Sequence, residues 1–593
     1  MGERALGRDV VSRNRFARLF SVGDRRNPNS WTPGLILSED EPDLPLAFAP
    51  FSISRNSDGL PAKSVISTRS NLCFPFDSLD RWEMEEGLVL PPSLVESDSG
   101  EFGDGIELLP ISWNSLHHDE RIATIDFQPS IVVLTDSPQL ANLPGMLERA
   151  LLTIRKNFPA SLVWTPGIAG PDNCALLSWM GVDLFDLSRS RHASSLGVLL
   201  TEAGPRLPEE TSGEDSSMKS QCEHWLSAIS QSRAAIRNGS LRELAERSST
   251  SSPRSVEHLR WHDRLSCEIS NEIGILPMSE NIGGKLRCYS FESRNDPVVK
   301  DWRTRVADNH MPPEHQRKIL VLLPCSAKKP YKLSQSHSRF RRSLRSPYVH
   351  EVMVTAPLGL VPRELEEIWP AAHYDIPVTG EWDSDELDYI RYMVSRLVER
   401  VGYSSIVNHS GVDFEIEGID IVDTRKGETA GSKSALSRLE NEVEGALENT
   451  ELMEFQERHR MMVLKSISRF LLDSDSWLDG SEIRGRPPIL TIFSNGVQIA
   501  KWNPRRGMFS FSKSSLELLD ELGVLKRIVL NDEVSWSGDI FPSYIDSFDP
   551  MIRAGEELLV FQKSRLVGSA RSVAPGWEWP HGPGKLAKAK HRL

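Results

Sequence analysis

One short segment of the sequence gathers residue types that can do chemistry. Cys325 follows the apolar run ILVLLP, and Lys329, Tyr331, Ser334 and His337 all come within thirteen positions of it. An apolar run rich in Ile, Val and Leu that stops at a proline is typical of a buried strand. The loop after such a strand is where α/β proteins often place reactive groups, because strand ends are rigid and the crevice there is open. The segment therefore predicts a strand-end site with a thiol, a cation, hydroxyls and an imidazole.

The same loop is strongly basic. The eighteen residues from 328 to 345 contain seven Lys or Arg and no acid, in a chain whose formal net charge is -14. Because nucleic-acid binding depends on local patches, the acidic total does not exclude an RNA partner. The aromatic residues in the run favour phosphate contact, and a solvated surface face is the alternative. The RNA-binding residues predicted in this loop are Lys328, Lys332, Arg339, Arg341 and Arg342.

The composition is that of a multidomain globular protein. The chain has 593 residues, of which 39% are hydrophobic and 26% charged, enough for several cores. The sequence has neither the roughly 18 uninterrupted apolar residues of a membrane span nor the apolar block of a secretory signal. The six cysteines are scattered without a CxxC pair. We therefore expect a cytoplasmic protein without a disulfide framework, a metal site or a cofactor.

Alternating apolar and amphipathic segments predict the elements that position these groups. An amphipathic helix is expected at 143–158, between two buried strands, and such alternation is typical of βα units and a parallel sheet. A basic, Leu-rich helix is expected at 224–248. The segments that predict buried strands are 127–136, 161–168, 180–188, KILVLLP, EVMVTAPLGLV and SSIVNHSG, with shorter strands and a basic tail at the end of the chain.

Three stretches together resemble one family. PCSAKKPYKLSQSH fits the pattern PC-x3-KPY-x2-S-x2-H at every fixed place, and TAPLGLVPRELEEIWPAAHYDIPVTGEWD continues it. The combination is similar to archaeosine synthase, a tRNA-modifying enzyme of archaea related to the tRNA-guanine transglycosylases. GVDLFD and ARLFSV…TPGL resemble the transglycosylase barrel. The segment from GDIFPSYIDSF onward resembles a PUA domain, a small RNA-binding β-barrel.

The resemblance implies a multidomain α/β protein of four units. Residues 1–275 are expected to form a degenerate transglycosylase-like (β/α)8 barrel, and residues 285–445 a central catalytic α/β domain with a parallel sheet. A small α+β unit at 450–508 is expected to precede a PUA-like β-barrel at 509–593.

The resemblance also implies chemistry on tRNA that carries cyano-deazaguanine in its D-loop. The nitrile of that base accepts the amine of free lysine, or of a similar nitrogen donor, and gives an amidine on the way to archaeosine. A radical-SAM partner enzyme and a homodimer are left open.

Nitrile addition assigns a role to each group of the strand-end segment. Cys325 is the candidate nucleophile, because a thiol pKa of about 8.5 falls beside cations. His337 can shuttle protons near neutral pH. Lys329 and Tyr331 can stabilise the developing imidate or hold a phosphate, and Ser334 completes the catalytic set. The alternatives are a cysteine that packs as a small hydrophobe and a hydrogen-bonded loop histidine.

An acidic segment from 375 to 388 has the opposite sign. Asp375, Glu381 and Asp383 can bind the ammonium groups of a lysine substrate through charge-assisted contacts. The alternative is a helix N-terminus capped by Asp383 or Ser384, and both roles are compatible.

The barrel-like segment lacks parts of the transglycosylase machinery. Asp186 in GVDLFD matches the place of the nucleophilic carboxylate in that family. The sequence contains no DSGGFQ-like segment, and only Cys222 and His224 lie near the expected zinc site. We therefore expect a scaffold or tRNA-docking surface. Two other functions stay open: a transglycosylase that exchanges guanine for a deazaguanine, and a non-catalytic tRNA-binding subunit.

The last residues combine cations with indole rings. Basic groups near aromatic faces suit a nucleic-acid surface, and a frayed, solvated terminus is the alternative. The predicted RNA-binding residues are Lys585, Lys588, Lys590 and Arg592, beside Trp577 and Trp579.

Overall fold

The structure is a computed structural model. Within the described residues, no helix is long and apolar enough to cross a membrane. Glu381, one of the predicted lysine-binding acids, lies outside the described residues. The described residues are 8–23, 26–38, 40–54, 65–68, 73–75, 108–123, 128–279, 284–377, 382–452, 459–486, 488–579, 581–582 and 584–593.

The N-terminal part of the chain contains thirteen strands among its described residues. They are β1 (Arg8–Asn14), β2 (Ala17–Val22), β3 (Ser30–Trp31), β4 (Gly34–Ser38), β5 (Phe51–Ser54), β6 (Val65–Thr68), β7 (Cys73–Pro75), β8 (Leu108–Ile111), β9 (Ile131–Leu134), β10 (Leu162–Trp164), β11 (Leu184–Phe185), β12 (Leu199–Thr201) and β13 (Gly204–Arg206).

Eight of these strands form one sheet in the order β7-β6-β5-β4-β11-β10-β9-β8. The six adjacent strands β5, β4, β11, β10, β9 and β8 are all parallel. Strands β6 and β7 add antiparallel pairs at the β5 edge. Strand β9 is apolar and fully buried, as expected where helices cover both faces of a parallel sheet. The arrangement confirms the expected α/β class, with a partial, barrel-related parallel sheet.

Helices accompany this sheet. The predicted amphipathic helix is α4, which buries its apolar face. The basic, Leu-rich segment forms two helices, α7 and α8, where one was expected, because Gly239 adopts a φ of 65° and ends the first of them. The helices of this part are α1 (Trp113–His118), α2 (Glu120–Ala123), α3 (Ser137–Ala141), α4 (Met146–Asn157), α5 (Cys174–Trp179), α6 (Ser188–Ser195), α7 (Met218–Asn238), α8 (Leu241–Ser249) and α9 (Pro253–Ile269).

The central part contains seven strands and five helices among its described residues. The strands are β14 (Leu286–Arg287), β15 (Ile319–Pro324), β16 (Val349–Thr355), β17 (Gly359–Pro362), β18 (Tyr374–Asp375), β19 (Ser405–Asn408) and β20 (Ile421–Asp423). The helices are α10 (Pro297–Thr304), α11 (Gln335–Leu344), α12 (Ser384–Val401), α13 (Lys433–Glu448) and α14 (His459–Leu472), and a π-helical turn at Arg305–Asn309 follows α10.

Five of the central strands form a sheet in the order β17-β16-β15-β19-β20. Strand β15 lies in the middle and is parallel to both neighbours. The segment EVMVTAPLGLV forms two antiparallel strands, β16 and β17, where one was expected, because the chain reverses between Thr355 and Gly359. The other two strands, β14 and β18, form a separate parallel pair.

The strand order creates an open edge at the carboxyl end of β15. The chain moves from β15 to β16 on one side and later returns to β19 on the other side, so the order reverses at β15. In α/β sheets such a switch point leaves a crevice for ligands. Cys325 follows β15, Thr355 ends β16 and His409 follows β19, so all three residues lie at this edge.

The C-terminal part forms two further sheets. The first is an antiparallel meander of β21 (Glu482–Arg484), β22 (Leu490–Ser494), β23 (Val497–Asn503) and β24 (Met508–Phe511). After α15 (Leu516–Glu521), the second has the order β26-β25-β27-β28-β29, with β25 (Arg527–Leu530), β26 (Ile545–Ser547), β27 (Glu557–Gln562), β28 (Arg565–Ser572) and β29 (Ala587–Arg592).

The second sheet agrees with the expected PUA-like unit. The basic tail is strand β29, which pairs with β28 along its length and is not a frayed terminus. The multidomain α/β fold class is thereby confirmed, and the limits of the four units stay predictions.

The hairpin of β1 and β2 connects distant parts of the chain. Arg13 donates to Glu578 at 2.9 Å, and Arg15 donates to Asp296 at 2.6 Å. Both carboxylates are buried, with 0% and 1% of their side chains exposed. Because an unpaired buried charge is strongly destabilising, these pairs hold the hairpin against both the central and the C-terminal parts.

Candidate active site

The Cys325 thiol is partly exposed at the end of β15. Burial raises the pKa of this thiol, and the neighbouring hydroxyl of Thr355 and the positive charge of Lys329 offset only part of that effect. The expectation that the basic loop lowers the pKa is therefore corrected, because desolvation outweighs the nearby cation. The thiol needs a base before it can act as a nucleophile.

A chain of buried hydroxyls leads to this thiol. Tyr331 is fully buried, and its hydroxyl bonds to that of Tyr374. The Tyr374 hydroxyl lies 2.7 Å from Oγ1 of Thr355, the same hydroxyl that contacts Cys325. Burial raises the pKa of both tyrosines, so they stay protonated. Tyr331 therefore acts on the site through other hydroxyls.

Lys329 places an amine near the Cys325 thiol. Its Nζ lies 4.0 Å from the centroid of the Tyr374 ring, a cation–π contact. Burial lowers the pKa of Lys329, while the charges of Cys325 and Asp375 partly offset this. An amine with a lowered pKa can take up and release protons more readily near neutral pH. Lys329 is therefore the better candidate for proton transfer at this edge.

His337 does not fit the predicted role of proton shuttle. The side chain is fully buried, and its Nδ1 accepts a hydrogen bond from Nη2 of Arg363 at 3.0 Å. Burial and the charge of Arg363 lower the pKa of His337 to about 3, so the ring is neutral at physiological pH. Ser334 caps helix α11 by accepting a hydrogen bond from the backbone N–H of His337 at 3.2 Å. These two motif residues shape the loop and stabilise the start of the helix.

An open cavity of about 480 Å³ lies beside this edge. Ala356 and Pro357, which directly follow Thr355, form part of its wall. Three aromatic side chains form another part: Tyr289, Phe291 and Trp382. The first two are 51% and 53% exposed, so their rings are accessible to a ligand in the cavity.

The acidic residues on the cavity side have local partners. Asp375 bonds to Nζ of Lys285 at 2.9 Å, a contact that holds the pKa of this carboxyl below its usual range. Asp383 caps helix α12, as the alternative interpretation proposed, and pairs with Arg294 at 2.5 Å. Asp383 also lines the cavity, so a role in substrate binding stays a prediction for both acids.

The basic loop keeps most of its cations in solvent. Lys328, Arg339, Arg341 and Arg342 are exposed. Lys332 is different, because it is half-buried in an ion pair with Glu367 and burial lowers its pKa. Phosphate contact therefore stays a prediction for the four exposed cations and becomes a poor assignment for Lys332.

The predicted RNA-binding cations at the C-terminus also differ in whether an acidic side chain pairs with them. Lys590 is tied to Glu557 at 2.7 Å and to the backbone of Phe511 at 3.0 Å, which corrects its assignment as an RNA contact. Lys585 is paired with Asp539, and Lys588 and Arg592 lie on strand β29. The indoles of Trp577 and Trp579, which are 5% and 0% exposed, are core residues and not stacking platforms.

Asp186 is a structural carboxylate. It is buried and accepts hydrogen bonds from the indole of Trp164 at 3.1 Å and from the backbone of Gly167 and Ser188 at 2.9 Å each. A nucleophile for base exchange would need a free oxygen, so the geometry favours the scaffold role.

The segment near the zinc position of the transglycosylases has no matching geometry. His224 bonds to Glu202 at 2.7 Å, and the Cys222 thiol is buried, which raises its pKa to about 11. Among the described residues, one group of three His, Cys or acidic ligands lies within metal-binding distance, and it includes neither Cys222 nor Cys325.

Thr355, Tyr374 and Lys285 are site residues that the sequence did not single out. Thr355 ends the apolar run EVMV, so the reasoning applied to Cys325 could have found it. Tyr374 and Lys285 lie in or beside the short pair of β14 and β18, which carries no strong sequence signal.

Comparisons with known proteins identify relatives of this chain. A family described as a domain of unknown function (DUF5591) matches residues 299–443, which include Cys325 and the edge of the sheet around it. A protein of Methanocaldococcus jannaschii named archaeosine synthase is 30% identical over 75% of this chain and 76% of its own length. A protein of Methanosarcina acetivorans named archaeosine synthase subunit alpha is 29% identical over 74% of this chain and 76% of its own length. A tRNA-guanine(15) transglycosylase of Methanobrevibacter smithii is 24% identical over 35% of this chain and 30% of its own length.

Proposed function

The chain belongs to the archaeosine synthase family, and we propose that its strand-end site joins an amine to the nitrile of cyano-deazaguanine in the D-loop of tRNA. The coarser function, tRNA modification in archaeosine biosynthesis by a transferase, follows from the family. The amine donor in the proposal is free lysine or a similar nitrogen compound.

One observation carries the proposal. A partly exposed thiol, Cys325, lies at the open edge of a parallel sheet beside the amine of Lys329 and a cavity with exposed aromatic rings. A thiol, a proton carrier and a surface for a planar base are the three parts that addition to a base-bound nitrile requires.

The first step forms a covalent thioimidate. After Lys329 has released its own proton to solvent, its amine takes the proton of the Cys325 thiol, and the thiolate attacks the nitrile carbon. A carbon–sulfur bond forms as one electron pair of the carbon–nitrogen triple bond moves to nitrogen. The Lys329 ammonium then returns its proton to that nitrogen, so the charge that develops there is neutralised by a group already in place.

The second step releases the enzyme. The incoming amine attacks the carbon of the thioimidate, a new carbon–nitrogen bond forms, and the carbon–sulfur bond breaks. The proton lost by the amine passes to the leaving thiolate of Cys325, which regenerates the thiol. The product is an amidine that contains all atoms of both substrates, and no oxidant or reductant is consumed.

The surroundings of the thiol have defined roles in this proposal. The rings of Tyr289, Phe291 and Trp382 stack on the modified base once it has left the tRNA core, since planar rings bind splayed bases in a sequence-tolerant way. Asp375 attracts an ammonium group of the donor, and the exposed cations of the basic loop contact phosphates.

Two partners complete the proposal. If the donor is lysine, a separate radical-SAM enzyme removes its carbon chain, because the addition chemistry does not break that carbon–nitrogen bond. A homodimer stays a prediction that size-exclusion chromatography with light scattering tests.

The test is incubation of the full-length protein with tRNA that contains cyano-deazaguanine and with isotope-labelled lysine, followed by mass spectrometry of the nucleosides. We expect a labelled adduct, its loss in Cys325→Ser, and its retention in Cys288→Ser, a matched control because Cys288 also lines the cavity. Near-native product formation by Cys325→Ser would refute covalent catalysis. Base exchange would favour the transglycosylase, and binding without a chemical change would favour the non-catalytic subunit.

A further inference from the structure

We propose that His310, His350 and Glu364 form a binding site for a divalent metal ion of the zinc type. His310 follows the π-helical turn after α10, His350 lies on β16, and Glu364 follows β17. Their side chains are 1%, 0% and 2% exposed. None of the three takes part in the chemistry proposed at Cys325, so this proposal is independent of the catalytic one.

The donor atoms converge on one point. Nε2 of His310 lies 2.8 Å from Oε1 of Glu364, and Nε2 of His350 lies 3.3 Å from the same oxygen. One ligand atom from each of the three residues lies within 4.8 Å of the other two. Zinc bonds of about 2.0–2.2 Å in a tetrahedron separate two ligands by roughly 3.3–3.5 Å. The His350 distance already fits, and the His310 distance needs to open by about 0.5 Å.

The chemistry of the group suits a cation. Two imidazoles and one carboxylate form a known zinc ligand set. Nε2 of His350 and Oε2 of Glu364 are buried and make no hydrogen bond of good geometry to any described residue. Buried polar atoms of this kind are rare unless an ion or water satisfies them. A metal ion bound among the three residues would give Nε2 of His350 a partner.

A second contact orients one ligand. Nδ1 of His350 bonds to the hydroxyl of Tyr403, and the two rings stack with centroids 5.8 Å apart. When Nδ1–H donates to this hydroxyl, Nε2 keeps its lone pair free for a metal. Histidine ligands in metal sites regularly have such an outer partner, which fixes the ring and its tautomer.

The site also has an access route. Glu364 forms part of the wall of a second cavity of about 430 Å³, which His459 lines as well. An ion can reach the carboxylate from this side, and a water molecule from the cavity can complete a tetrahedral set. A bound ion would link strand β16 of the central sheet to the segments at 305–310 and 363–365.

The experiment is metal analysis of the full-length protein purified without chelators. We expect about one zinc per chain by inductively coupled plasma mass spectrometry, and visible absorption bands after exchange for Co²⁺. Glu364→Gln and His350→Gln should lose the ion. Tyr403→Phe should weaken zinc binding by about 10–100-fold in a chelator competition assay. His409→Gln is the matched control, because His409 is a buried histidine of the same sheet and is bonded to Thr424 and to the backbone of Ala430.

Wild-type protein that holds no stoichiometric zinc and shows no saturable Zn²⁺ or Co²⁺ binding would overturn the proposal and leave a hydrogen-bonded triad only. Retention of the ion by Glu364→Gln and His350→Gln would overturn it as well. Because these variants can fold poorly, the wild type is also unfolded thermally with and without one equivalent of Zn²⁺. A rise in Tm supports the site, and an unchanged Tm contradicts it.

Discussion

Replacement of Thr355 by valine tests the hydroxyl contact that acts on the Cys325 thiol. Valine keeps the branched shape of threonine and removes only the hydroxyl. A hydrogen bond to a charged group contributes about 1.5–3 kcal/mol. Since about 1.4 kcal/mol is a factor of ten in an equilibrium, the fraction of Cys325 present as thiolate at a fixed pH below its pKa should fall roughly 10–100-fold.

The assay is the rate of alkylation by iodoacetamide at about pH 8, where a thiolate fraction is measurable. Mass spectrometry of the peptide that contains Cys325 separates its signal from those of the other cysteines. Thr355→Ser keeps the hydroxyl and should react at close to the native rate. Thermal unfolding of both variants is compared, because valine also removes the hydrogen bond between Thr355 and the Tyr374 hydroxyl. Native-rate alkylation of a folded Thr355→Val protein would refute the contact.

Three further predictions follow from charges and burial. Because the pKa of His337 is lowered to about 3, His337→Gln should leave the shape of the activity–pH profile unchanged between about pH 6 and 8, and loss of a limb near neutral pH would contradict this. Lys590→Met removes the shorter of the two ion pairs of the buried Glu557 and leaves the one with Arg571 at 3.6 Å, so it should lower the free energy of unfolding by about 1–3 kcal/mol without changing tRNA affinity, as measured by thermal unfolding and filter binding. Burial alone would raise the pKa of Asp296, but Arg15 holds it below its usual value, so the pair stabilises the fold above about pH 4 and stops doing so as the pH falls further. Limited proteolysis should therefore release the N-terminal hairpin in acid, and Asp296→Asn should release it at neutral pH too.

The location of the candidate site could be predicted because it depends on local sequence. The run ILVLLP specifies a buried strand, and Cys325 must then lie at the edge of the sheet. The position of Ser334 three residues before His337 also matches a local signal, that of a helix cap, although the sequence analysis assigned it to catalysis. The same reasoning, that the end of a buried apolar strand lies at the edge of the sheet, would have identified Thr355 from the run EVMV.

The protonation states could not be predicted, because they depend on partners distant in the sequence. His337 is neutral because burial lowers its pKa, and the charge of Arg363, 26 positions away, lowers it further. Lys590 is engaged by Glu557, 33 positions away. The basic loop suggested an acidic thiol, yet the burial of Cys325 outweighs Lys329, and desolvation is a property of the packed fold and not of the neighbouring sequence.

The paired arginines of the first hairpin have a consequence for the proposed tRNA modification. Arg13 and Arg15 anchor one short segment to carboxylates 565 and 281 positions further along the chain. Both ion pairs restrain the C-terminal sheet relative to the central part that carries Cys325. Under the proposed function, we predict that a tRNA in contact with both parts must carry its target base at a set separation, so that the overall dimensions of an RNA contribute to its selection.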